Sequence, residues 1–390
     1  MTTPQSTMPA TAPPPRRRRR RWPVVAGVVG VVAAFVIAAS LISVPYSVLS
    51  PGDAVPVAGL ITVPAAHRHA VKGQILLTDV EVTTDLKLIG YLFSHLNADD
   101  DIVPSGAITG GLPVSEFYAQ GTVDMEESQM TAHAVALRQL GYSVPEHDVG
   151  VTVYVTDPTS PAWHALKVGD VVTSVDGTPT TSPDAFRDAI ISHHPGDTVT
   201  LQVGSIAAPT PGHAVRVRLS STVEDHRRVA FLGVGDPSVP IAGMGTQPSY
   251  DFPFDVKINS DNIGGPSAGL AFTLGVINTI SGGGLTGGRT IAATGTIRPD
   301  GSVGDVGGVK QKTVAVQNAG ASVFFVPPQE LSVARSMATS RLRVYAVSTV
   351  GQALRDLERL GGHLGSAASG PPAGPGGHRV PTDWQHSPWS

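Results

Sequence analysis

The 390-residue chain has no cysteine. Disulfides, thiolate nucleophiles and cysteine-based zinc sites are therefore excluded. Its thirteen histidines form no His-Glu-x-x-His motif, so neither a metal nor another cofactor is expected. Lysine is scarce, with six in the whole chain. No acidic residue precedes Asp53, whereas Arg16 to Arg21 are six consecutive arginines. Without that run the remaining balance is 21 basic against 31 acidic residues, or −10. A body of that sign is no nucleic-acid binder.

One uncharged stretch is long. Val24 to Val44, VVAGVVGVVAAFVIAASLISV, has 21 residues. As a helix it would measure about 31 Å, against about 30 Å for a bilayer core. The arginines before it should remain cytoplasmic. The expectation is a single transmembrane anchor (23–45) with a cytoplasmic arginine-rich tail (1–22) and everything after Pro45 outside the cell membrane. A cleaved signal peptide is the alternative, but its apolar core usually has only about 7–15 residues.

Glycine (44) and proline (33) are abundant and divide the rest into segments. Residues 46–145 contain short β-like runs, YSVLS and QILLTDVEV, and an amphipathic segment, LKLIGYLFSHL. The segment VDMEESQMTAHAVALRQLGY then places Met125, Ala132, Val135, Ala136 and Leu140 at helical spacing, with Gly141 as a stop. Residues 46–145 are expected to pack with the α/β unit that begins near residue 229. From Val149 the order is an alternating strand, a Ser-Pro-Ala helix start, KVGDVVTSVDG, a short helix and PGDTVTLQV. This order resembles a bacterial PDZ domain over 149–220. The resemblance implies that an extended peptide end adds to a strand near Gly150 and Val151. Residues 361–390 are rich in Gly, Pro and Ser, a composition of disorder.

The segment NIGGPSAGLAF, Asn262 to Phe272, holds a serine between a tight turn and an apolar run. Gly265 and Pro266 would set that turn, and Ser267 would stand at the first turn of a helix. Free N–H groups there can stabilise an oxyanion. Ordinary helix capping explains the same residues. A serine nucleophile needs a base. His226 is the last histidine before His363, whereas Lys310 and Lys312 lie within GGVKQKTVAVQNAG. Wound as a helix, Lys312 falls on the stripe of Val309, Ala315, Val316 and Ala319, and Lys310 on the opposite side, where it is expected to be a solvated surface charge. A lysine on an apolar face loses its preference for the ammonium form. A lysine that lies along the surface with its amine in water fits the same pattern.

GGPSAG, ATGTIRPDGSVGDVGGVKQK and AGASVFFVP together resemble the proteolytic domain of the Lon family over 229–355. With the upstream segments, the chain is similar to bacterial membrane-anchored Lon-like proteases with a PDZ domain. The resemblance implies Ser267 as nucleophile, Lys312 as general base and Thr294 as the residue that holds the lysine amine. It also implies a possible homo-hexamer. Lon enzymes carry an acid where Thr296 stands, and an ATPase module upstream. GGLTGGRT nearly fits a phosphate-binding loop, but Arg289 replaces its lysine and the segment follows a helix.

The expected fold class is multi-domain α/β: a transmembrane helix, a PDZ-like β-rich module and a Lon-type α+β proteolytic domain. The expected function is an ATP-independent serine endopeptidase acting on unfolded or extended polypeptides. The alternative is an anchored PDZ scaffold whose protease domain is silent. A trypsin-like Ser-His-Asp enzyme is disfavoured, because no Gly-Asp-Ser-Gly-Gly block occurs and Ser267 follows the PDZ-like segment.

Overall fold

The computed structural model describes residues 22–224, 226–234, 244–260 and 263–365. The arginine run and the tail beyond Gly365 lie outside the described residues. Helix α1 (Trp22–Leu41) opens this part of the chain. Of its placed side chains, which run from Val25 to Leu41 after Trp22, Ala39 alone is buried. Among the described residues no helix is long and apolar enough to cross a membrane.

The central sheet draws on both ends of the chain. Its order is β18 (Arg343–Ala346), β17 (Val323–Val326), β14 (Thr290–Ala293), β3 (Gln74–Thr83), β1 (Tyr46–Pro56), β4 (Asp101–Pro104). Strands β18, β17, β14 and β3 run parallel, and β1 and β4 continue antiparallel. The parallel part is apolar at successive positions because both faces are covered. Ile75, Leu77, Ile291, Ala293, Val323 and Phe325 enter one core with α4 (Val114–Gln139), α6 (Gly269–Ile280) and α9 (Val350–Arg359). The alternate residues Leu76, Ala292, Phe324 and Val326 enter a second core with α7 (Val309–Asn318) and α8 (Leu331–Met337). Met125, Ala132, Val135, Ala136 and Leu140 are all buried, as their spacing requires. The amphipathic segment forms α2 (Leu88–Ser94), which buries no residue and packs on α1. A short helix, α3 (Ser105–Thr109), links β4 to α4.

The proteolytic unit is therefore not confined to 229–355. Residues 46–139 supply half of its sheet and one of its core helices. The PDZ-like module is inserted between the two halves. Its sheet has the order β12 (Met244–Tyr250), β5 (Glu146–Val153), β6 (Asp170–Val175), β8 (Thr198–Ser205), β9 (His213–Arg218), with β7 (Thr178–Pro179) beside β6. Helix α5 (Pro183–Ile191) is capped by Ser182, which accepts from the Ala185 N–H, and lies alongside β12. The sheet thus borrows β12 from beyond residue 220. The connector after 220 is a hairpin of β10 (Ser220–Glu224) and β11 (Arg227–Phe231). Two minor ladders remain: β2 (Ile61–Thr62) with β13 (Lys257–Ile258), and β15 (Thr296–Ile297) with β16 (Val303–Gly304).

Leu77 on β3 is fully buried. Leu77→Ala should lower the stability of the whole unit by about 2–5 kcal/mol in urea denaturation. The α6 amides should lose exchange protection together with those of β3. A separately folded N-terminal region would leave the α6 amides untouched.

Candidate active site

Ser267 and Lys312 approach from opposite faces of the central sheet. Ser267 lies in a 3₁₀ turn, Pro266–Ala268, that leads into α6. Gly265 precedes it at φ 84°, a left-handed conformation that glycine adopts without a steric penalty. Lys312 lies one turn into α7, on the side packed against the sheet. The two meet beyond the carboxyl end of β14, where Thr294 follows the strand.

The Lys312 amine donates to Ser267 Oγ at 2.7 Å and to Thr294 Oγ1 at 3.1 Å. Thr294 Oγ1 in turn donates to the Ser267 carbonyl at 3.2 Å, and the Gly295 N–H donates to the same oxygen at 2.9 Å. The residue that orients the amine therefore also fixes the main chain of the serine. Lys312 is 3 % exposed and Thr294 is fully buried, while Ser267 is partly open to solvent. Burial lowers the lysine pKa to about 8, opposed by the charges of Asp79 and Glu330. Asp79 is itself raised, first by burial, with the Val80 N–H and Lys312 acting the other way. Burial also raises Glu330, reinforced by Asp305.

Lys310 takes a different path from the one expected. Its amine lies 2.6 Å from Asp101 in a partly buried ion pair, whereas a solvated surface charge was expected. Asp101 also accepts from Gln311, so the first turn of α7 is tied to the start of β4. His133, the buried histidine of α4, stacks on Phe252 at 3.8 Å, and burial lowers its pKa to about 4.

Three placements correct or extend the sequence reading. The Gly265 N–H is spent on Gly121 O at 2.7 Å, and proline has no N–H, so Gly265 and Pro266 build the turn without facing an oxyanion. The N–H groups of Ser267 and Ala268 stand at the first turn of the helix, beside the Ser267 hydroxyl along the chain. Gly150 and Val151 lie inside the PDZ-like sheet: β12 pairs with both, and Val151 also pairs with Val172 of β6. A peptide cannot add to β5 there; among the described residues the edge strand on that side of the sheet is β12, and β9 is the edge on the other. Asp79 was not singled out from sequence, although a carboxylate within the apolar strand QILLTDVEV was a signal. Among the described residues no group of His, Asp and Glu could hold a metal ion.

A buried amine bonded to a hydroxyl at the start of a helix is an arrangement that acyl transfer can use. Residues 260–357 match the family model of the Lon protease (S16) C-terminal proteolytic domain, and residues 138–204 match the PDZ domain model. The chain carries a serine-protease domain of the Lon type joined to a PDZ domain. Solved PDZ domains similar to part of the chain include that of the SdrC-like protein of Listeria innocua. It is 24% identical over 23% of this chain and 96% of that one, with a TM-score of 0.19. The PDZ domain of the Listeria monocytogenes SdrC-like protein is 25% identical over 22% and 90%, with a TM-score of 0.19. No curated protein matches the chain.

The lowered lysine pKa has a stability consequence. Between pH about 8 and 10.5 the unfolded chain keeps a proton that the folded chain has released, so stability rises with pH through that window. Below it, the charged amine costs about 3 kcal/mol. Lys312→Met should remove this slope and stabilise the fold near pH 7 by up to about that amount. Denaturant midpoints of both proteins across the window check it.

Proposed function

We propose that the chain is an ATP-independent serine endopeptidase using a Ser267–Lys312 dyad. The observation that carries this reading is the 2.7 Å contact between a partly open hydroxyl and an amine that is 3 % exposed. With its pKa near 8, a useful fraction of the amine is neutral at physiological pH. The neutral amine takes the Ser267 proton, and Oγ attacks a peptide carbonyl. The N–H groups of Ser267 and Ala268 are the donors nearest the developing oxyanion. Lys312 then gives its proton to the leaving amine, and water releases the acyl group from Ser267. Thr294 holds the amine in line throughout.

Substrates are extended polypeptides, because the near-match to a phosphate-binding loop, GGLTGGRT, is a loop after α6 without the lysine that ATP requires. The PDZ module presents the free edge of β12, beside α5, for strand addition by a peptide end. A single-pass anchor belongs to the same proposal: Val25 to Leu41 form an apolar helical surface, and six arginines precede it. The N-terminus is then cytoplasmic and the protease extracytoplasmic. A homo-hexamer, implied by the resemblance alone, is read from the mass of the detergent-solubilised protein.

Ser267→Ala and Lys312→Ala should each reduce cleavage of an unstructured peptide by at least about a thousandfold while the fold persists. Lys310→Ala should retain activity. If Ser267→Ala cleaves like the wild type, the dyad is wrong; if the wild type itself cleaves nothing, the PDZ scaffold reading stands. Cleavage by the wild type should also rise as pH approaches about 8 and level off above it, measured as kcat/KM.

A further inference from the structure

Helix α4 touches both the nucleophile turn and the PDZ module. It has 26 residues, about 39 Å of helix. Gly121 and Ser128, seven residues apart, share one face. Gly121 O accepts from the Gly265 N–H at 2.7 Å, and Ser128 Oγ donates to Pro266 O at 3.1 Å. Gln129 adds a bond to Ser260 at 2.9 Å. The residues flanking Ser267 are therefore hung from α4. Glycine inside a helix costs about 1 kcal/mol. Here Gly121 O lies 3.4 Å from where a Cβ on Gly264 would be, so the two backbones touch.

Val123, Glu127 and Met130 lie on a different face. Val123 packs against Val171 and Ile206 of the PDZ module, and Met130 joins the same cluster. The Tyr154 hydroxyl donates to Glu127 at 2.7 Å. The Tyr154 ring covers Gly245 of β12 so closely that a Cβ there would lie 2.7 Å from Cε2. The free edge strand of the module, Tyr154, Glu127, Ser128 and the turn at Ser267 thus form one continuous chain of contacts.

We propose that Ser128 is a positioning residue for Ser267, and that the Tyr154–Glu127 bond transmits the pose of the PDZ module to it through α4. This deepens the protease reading and rests on it for its catalytic consequence. A peptide added to β12 presses on Gly245, moves the Tyr154 ring and loads or releases the helix that holds Pro266. Neither residue touches the reacting atoms. Their effect is on how well the hydroxyl and its neighbouring N–H groups are held.

The test uses the full chain with Ser128→Ala, Tyr154→Phe and Glu127→Gln, read by steady-state cleavage and by amide hydrogen exchange. Ser128→Ala and Tyr154→Phe should each lower kcat about tenfold at unchanged KM, the scale of one lost hydrogen bond. The Ser267 and Ala268 amides should exchange faster by about the same factor, with Leu274 to Ile280 unchanged. Glu127→Gln keeps an acceptor for Tyr154 and should behave like the wild type. The proposal is overturned if Tyr154→Phe leaves the Ser267 amide unchanged. It is equally overturned if exchange accelerates throughout α6, because the bond then only supports the fold. A wild type that cleaves nothing removes the protease reading, whereas the exchange result still decides the coupling.

Discussion

The desolvation of a single amine governs the arrangement of this molecule. In the proposed dyad Lys312 must be out of water to shed its proton, yet its nitrogen must reach a hydroxyl that a substrate can approach. The central sheet resolves the conflict. The lysine stem is buried against one face, the serine turn is built on the other, and the two meet where β14 ends. Thr294 sits at that seam and bonds to both. Asp79 and Glu330 oppose the desolvation from a distance, which keeps the amine near neutrality instead of far below it.

The split layout of the chain stems from the same requirement. Strand β3 lies next to β14 and closes the seam beside Thr294, with Ala292 opposite Leu76. Those residues come from the N-terminal third. A domain that began only after the PDZ module would expose β14 on that side and wet the amine. The inserted module is tied into this unit through Val171, Ile206 and Tyr154 against α4, and its last strand is followed directly by the segment leading to Ser267.

Much of the site could be read from sequence, because helical periodicity alone separates Lys312 from Lys310. The apolar stripe of α7 predicts which amine is dry, and burial of Val309, Ala315 and Val316 bears this out. The long-range pairings could not be read. Strand YSVLS has no local feature that selects QILLTDVEV as its neighbour, and nothing in GMGTQPSY marks it as part of the PDZ sheet. Sheet neighbours depend on burial shared between distant segments, which a one-dimensional pattern does not encode. The partnership of Gly121 and Ser128 with the serine turn spans more than a hundred residues and was illegible for the same reason. The Lys310–Asp101 pair was missed likewise, since an acid at the start of a strand gives no sign of the helix it will face.

Strand β12 carries Pro248 at a bulge in its ladder with β5. A proline offers no N–H to a neighbour on either side. Open-ended stacking of copies along this margin is thus interrupted after a few rungs, a safeguard against filament growth that leaves Met244 to Gln247 available to a short guest.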